Sequence, residues 1–298
     1  METPQQYYVG SGTMSACGKY AAELRALPKD VGALRDIVQG TLLHADMAAW
    51  LYDVKLSPER YDDKNIRPLT EMLSNIGAIA ALPLTTARKP ADRLGCVCRH
   101  FSLMLCAILR EQGTPARTRV GFGAYFNPGK FEDHWVCEYW NAAQKRWVLV
   151  DAQMDPIQCK TFKLDFDPLD VPRDRFIIAG DAWQKCRNRG ANPDNFGLSM
   201  VPNLHGLWFV LGNVLRDLAA LNRVEMLPWD VWGIMAMDSA SITDEHKALI
   251  DKVAAAALTL AGDEAFPEIR RIYESDERLR VPSTVFNAMH QAPENVTV

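Results

Sequence analysis

Three residues on one stretch of this chain have the types that thiol acyl chemistry needs. Cys98 heads the apolar run CRHFSLMLCAILREQG, His134 opens HWVCEYW, and Asp151 closes RWVLVD. A cysteine attacks an acyl carbon as the thiolate, so its pKa must be lowered. A helix N-terminus supplies partial positive charge, and an adjacent imidazolium supplies more. Asp151 would fix the histidine tautomer and steady its charge, and the Cys98 backbone N–H would donate to the oxyanion. Taken singly, a buried thiol, a strand histidine and a turn aspartate are the commoner readings. The order helix, strand, strand favours the chemical one.

The elements that must position these groups follow from periodicity. Apolar residues on nearly every side of 98–112 predict a buried helix, ended by Gly113 and Pro115. Three strands should follow, RTRVGFGAYF, HWVCEYW and RWVLVDA, with NAAQK as the hairpin loop between the last two. Pairing Trp140 with Lys145 places His134 opposite Asp151 on one sheet face. Residues 15–52 and 69–82 read as helical, and LSPERYDDKNIRP and TTARKPADR as loops. Beyond Asp155 come an Asp- and Pro-rich loop, a short helix in AGDAWQKCRNRG and a strong helix in GLWFVLGNVLRDLAALNRVEML. Helices near 243–262 and 265–274 and an irregular tail complete the chain. The expected organisation is a helical segment at 1–90, a catalytic core at 91–160, and a mainly helical segment at 161–298 packing on that core.

The segment resembles the transglutaminase-like superfamily, a papain-related group that includes transglutaminases, peptide N-glycanases and many bacterial proteases. The resemblance rests on Cys98 with Phe101 three residues on, and on Arg110, Gly113, Pro115 and Arg117 in the pattern Arg-x-x-Gly-x-Pro-x-Arg. HWVCE matches His-x-Trp-x-Glu in part, its Trp falling at 135, and Trp147 and Asp151 match Trp-x-x-x-Asp. The wider chain, through FEDHWVCEYW, FIIAGDAWQKCR and LPWDVWG, looks like a bacterial subgroup of such proteins. The resemblance implies Cys98 as nucleophile, His134 as base and acid, and Asp151 as orienter. It implies a papain-like α+β fold, with the cysteine helix packed on an antiparallel sheet and helical segments at its flanks. Relatives typically show Gly-Asn-Cys-Arg-Asp-Phe, whereas this chain reads Cys96-Val97-Cys98-Arg99-His100-Phe101.

Other candidates compete. Cys96 is a rival nucleophile, disfavoured by its phasing to Phe101 and Gly113, and a Cys96–Cys98 redox or metal pair lacks the usual two-residue spacing. His100 is expected to face solvent. Gly121-Phe122-Gly123 lacks the rest of a nucleotide motif and suggests a bulge or close backbone approach. Asp165, Asp167 and Asp170 lack the glycine and glutamate of a calcium loop, so a solvated loop is expected. Asn213, Arg216, Asp217 and Asp230 lie among Trp208, Trp229 and Trp232; they line a substrate pocket or serve as helix-end partners. With Trp135, the residues Arg216, Asp217, Trp229 and Asp230 are the candidates for substrate contact.

Bulk properties narrow the class. The chain has 298 residues, 48% hydrophobic and 23% charged, as in a folded protein with a sizeable core. A net charge of −4 disfavours non-specific nucleic-acid binding. No secretory signal or membrane-spanning run is expected, and seven scattered cysteines do not suggest a disulfide framework, so a cytoplasmic protein is expected. The function expected is thiol-dependent hydrolysis or acyl transfer at an amide or acyl bond of a peptide or small molecule. No cofactor or metal is implied. An amide-forming enzyme of a small-molecule pathway and a non-catalytic binding module that keeps the fold are the alternatives.

Overall fold

The Cys98–Glu111 helix is buried from Cys98 through Arg110, as its apolar residues on all sides require. In this computed structural model, which describes residues 2–259 and 265–298, the chain's contacts divide it into two units. The first comprises Gln5–Thr118 and Val136–Val171; the second comprises Arg119–Trp135 and Pro172–Val298 with the N-terminal residues. The expected helix over 243–262 is seen as Asp244–Thr259, and residues 260–262 lie outside the described residues.

In the first unit, strand β1 (Leu42–His44) pairs in parallel with β2 (Leu94–Cys96), which leads directly into the Cys98 helix. The run 15–52 is therefore not wholly helical: helix Val31–Thr41, begun by an Asp30 cap on the Ala33 N–H, gives way to β1. The Cys98 helix ends at Gly113, whose φ of +82° suits a residue without a Cβ. There the Thr114 N–H reaches back to the Leu109 carbonyl and the Arg110 side chain takes the Ala116 carbonyl at 2.7 Å. Strand β3 (Ala116–Gly123) follows, then β4 (Phe131–Asn141) and β5 (Arg146–Val150). β3 and β4 each run from one unit into the other. In the first unit, Cys106 on the helix lies against Cys137 on β4, so helix and sheet pack through two buried thiols.

The β4–β5 ladder is two residues from the predicted register: Trp140 pairs with Trp147 and Asn141 with Arg146. Lys145 lies in the turn at φ +51° rather than across from Trp140. Asp151 directly follows β5, and the ladder extended by one pair puts it across from Val136 rather than His134. An even shift preserves the face, since side chains alternate with period two.

In the second unit, β6 (Phe176–Ile178) pairs antiparallel with β3, and β7 (Phe196–Gly197) lies parallel to β4. A Cβ at Gly121 would lie 2.3 Å from the Ile177 carbonyl oxygen, so this crossing admits only glycine. Helix Ala179–Asn188 lies against β6 and helix Leu207–Leu221 against β7, and helices Asp244–Thr259 and Phe266–Ser275 pack on these helices. The tail is not irregular: Thr284–Asn287 and Ala292–Asn295 form a hairpin that also pairs with Asp230–Val231. The elements are α+β, with the Cys98 helix packed on an antiparallel sheet in the first unit. Among the described residues no helix is long and apolar enough to cross a membrane.

Two buried arginine–carboxylate pairs tie β3 down, one in each unit. Arg117 bonds Glu138 at 2.6 Å, and Arg119 grips Asp217 through Nε at 3.0 Å and Nη2 at 2.8 Å. Asp217 also takes the Val120 N–H at 2.8 Å. Removing one partner of such a pair leaves an uncompensated buried charge, at about 3–5 kcal/mol, whereas replacing both by apolar groups costs far less. In urea unfolding, Asp217→Ala should lose about that much, and the double variant Arg119→Met/Asp217→Leu should recover most of it. A double variant as unstable as Asp217→Ala would show that the loss does not come from the stranded guanidinium.

Candidate active site

Cys98 is the first residue of its helix and is buried. Val97 precedes it in an extended conformation and offers no side-chain cap. His100 replaces that cap: its Nδ1 accepts the Val97 N–H at 3.4 Å, and its Nε2 lies 2.9 Å from the Ile66 carbonyl. His100 does not face solvent; it is fully buried, because the whole first turn of the helix is. Burial, with the positive Arg99 beside it and His44 nearby, pushes its pKa down to about 3.

Cys96 sits on β2 with its thiol pushed well above the usual cysteine range by burial and by the neighbouring Cys98. A thiol so placed stays protonated and does not attack. His44 stands opposite Cys96 in the parallel ladder, a placement that no spacing in the sequence announced. All seven cysteines are free thiols.

Asp151 is buried in the same unit as Cys98, and its orientation is set by the backbone. Its Oδ1 accepts the Gln153 N–H at 3.1 Å, and its own N–H donates to the Pro168 carbonyl at 2.8 Å. One segment of that unit, residues 39–47, bonds to both neighbourhoods. Gln39 donates to the Ala152 carbonyl at 3.2 Å and Met47 meets the Gln153 amide, while His44 pairs with Cys96. The cysteine turn and the loop after Asp151 are thus anchored on a common support.

His134 and Trp135 belong to the second unit, as do Arg216, Asp217, Trp229 and Asp230. The His134 ring is buried against Tyr125, Phe126 and Phe176, with ring centroids at 5.9, 5.0 and 6.4 Å. Its neighbour Asp133 accepts a hydrogen bond from Asn213 at 2.7 Å, and Asn213 in turn accepts one from Arg216 at 3.1 Å. Arg216 also donates to the Asp230 carbonyl at 3.1 Å, and the Asp230 carboxylate accepts the Leu227 N–H. Burial raises the Asp133 pKa, and Asn213 and Arg216 oppose the rise. Asp217 and Asn213, the latter backed by Arg216, therefore brace β3 and β4 from the Leu207–Leu221 helix, and Arg216 ties that helix to Asp230. Trp135 is buried, and Trp229 is half-buried. The sequence singled out the helix residues of this brace but not Asp133, whose partner lies 80 residues away.

Two motif residues pair with each other in the first unit. Glu138, which closes HWVCE, bonds Arg117, which closes the helix-exit pattern, and Trp147 lies against the guanidinium at 4.0 Å. Asp170 pairs with Arg146, and Asp167 accepts the Leu169 N–H, so these loop aspartates are engaged within the protein. Among the described residues no group of three or more His, Cys, Asp and Glu side chains is placed to hold a metal ion.

His100 makes stability depend on pH. An unfolded histidine takes up its proton near pH 6.5, whereas folded His100 waits until about pH 3. Between these values the unfolded chain binds more protons, so stability falls as the pH is lowered through that window. Going from pH 8 to pH 5 should cost about 2 kcal/mol from this group alone. Urea midpoints of His100→Gln should fall less steeply over that range than those of the wild type; equal slopes would contradict the assignment.

Residues 80–152 match the family model of the transglutaminase-like superfamily. No curated protein matches the chain. A solved structure from Cytophaga hutchinsonii, whose given name proposes a cysteine protease, is similar at 16% identity and a TM-score of 0.21. That likeness covers 60% of this chain, which spans only 54% of the other protein. Residues 80–152, with Cys98 at the head of a buried helix, are thus similar to the transglutaminase-like superfamily.

Proposed function

We propose that this protein breaks or exchanges an amide or other acyl bond of a peptide or small molecule through Cys98, His134 and Asp151. The observation that carries the reading is the contrast between the two neighbouring cysteines. Cys98 begins a buried helix, where the dipole favours a thiolate, while Cys96 sits on β2 with its proton firmly held.

In the proposed cycle His134 takes the Cys98 proton and the thiolate attacks the acyl carbon. The oxyanion that forms accepts a hydrogen bond from the Cys98 N–H. The carbon–nitrogen bond then breaks, and His134 gives its proton to the leaving amine, leaving a thioester on Cys98. Water or a second amine loses a proton to His134, attacks the thioester and releases an acid or a new amide. Asp151, held by the Gln153 N–H, keeps the imidazole oriented. Hydrolysis is the favoured outcome, because water is always present. Of the residues proposed for substrate contact, Trp229 is half-buried, while Trp135, Arg216, Asp217 and Asp230 are buried.

A chromogenic ester tests the cycle. Treatment with p-nitrophenyl acetate should leave an acetyl thioester on Cys98, mapped by peptide mass spectrometry, and Cys98→Ala should lose it. His134→Ala should slow acylation about 100-fold, the ordinary worth of a general base. Partition of the acetyl group between water and an added amine distinguishes hydrolysis from transfer. Acetylation of Cys96 alone, or a rate indifferent to His134, would refute the proposal.

A further inference from the structure

We propose that His100 is a positioning residue for the nucleophile: its neutral imidazole clamps the turn that presents Cys98 by accepting the Val97 N–H and donating to the Ile66 carbonyl. The inference rests on the reading of Cys98 as nucleophile.

A helix start leaves backbone N–H groups without partners, usually served by a Ser, Thr, Asp or Asn side chain at the cap. Val97 has no such group, and no side-chain bond is made from the cap position. The bond runs the other way. His100, third residue of the helix, reaches back to the Val97 N–H at 3.4 Å, a place usually filled by Glu or Gln. On its far side the ring meets the Ile66 carbonyl at 2.9 Å, just before helix Leu69–Ile79, and Arg99 reaches the same oxygen at 3.5 Å. The turn is thereby tied to a separate segment of the same unit.

The two partners leave one protonation state. A carbonyl only accepts, so Nε2 carries the hydrogen; an N–H only donates, so Nδ1 carries none. A carboxylate at this position could accept the Val97 N–H, but its negative charge beside Cys98 would oppose the thiolate. The neutral ring makes the same bond and leaves the positive helix end available to the sulfur. Val97 brings no cap of its own, so the His100 clamp takes that role without placing a negative charge beside Cys98.

Two measurements test it. Long-range proton–nitrogen NMR spectra of the six histidines, assigned with His100→Gln, should show His100 as the Nε2–H tautomer from pH 7.5 to pH 5. An Nδ1–H tautomer, or titration within that range, would overturn the clamp whether or not any variant folds. The second is the iodoacetamide rate at Cys98, with urea midpoints measured alongside. His100→Leu should lower the rate about fivefold or more, the worth of a well-made hydrogen bond, while His100→Gln, which can still accept the Val97 N–H, should restore most of it. A folded His100→Leu with an unchanged rate would overturn the positioning role. If wild-type Cys98 reacts no faster than a free thiol, the nucleophile reading fails and the positioning role with it; the Nε2–H tautomer would then leave only a fold clamp.

Discussion

The contest between burial and charge at the first turn of the Cys98 helix governs the rest of this molecule. Burial shifts an ionisable group by up to about 3–5 pKa units against its charged form, each unit being worth about 1.4 kcal/mol. A helix terminus returns at most about 2 kcal/mol. The dipole alone therefore does not sustain a thiolate at a buried position, and at Cys96 and Cys137, which lie on strands, burial leads and holds the thiol well above its usual range. An imidazolium must supply the remainder, which is why the proposed chemistry stands or falls with His134.

Much of the remaining structure serves to hold these groups still. The Cys98 helix is fixed at its start by His100 and Ile66, and at its end by Arg110 on the Ala116 carbonyl and the Ser15 hydroxyl. Asp151 is held by backbone groups on both sides. His134 lies among three aromatic rings, while the residue before it is drawn toward Asn213 and Arg216. These contacts pair buried polar groups, which fixes geometry at modest net gain in stability. The Arg117–Glu138 pair, with Trp147 over the guanidinium, accounts for three motif residues without giving them any part in the chemistry.

The sequence made the Cys98 helix, the three strands after it and the Leu207–Leu221 helix legible, because each carries a strong apolar period or a clear stop signal. It could not set the hairpin register. NAAQK marks a turn, but only the backbone decides that Asn141 leaves it to pair with Arg146, and a shift of two leaves the hydrophobic pattern unchanged. His100 reads as a surface residue in the sequence because nothing there names its partners, although the helix is buried on all sides. Ile66 offers only a carbonyl, which leaves no mark on a sequence. The same holds for Asp133 and Asn213, and for the terminal hairpin, where Pro293 interrupts the strand pattern.

The most direct measurement is the rate of iodoacetamide alkylation against pH, with the modified cysteines mapped. Rapid labelling of Cys98 at pH 6, where a free thiol of pKa near 8.5 is almost wholly protonated, and a marked loss of that labelling in His134→Ala, is the predicted result. Slow labelling of every cysteine until pH 8 or above, or labelling of Cys98 that does not depend on His134, would contradict the account.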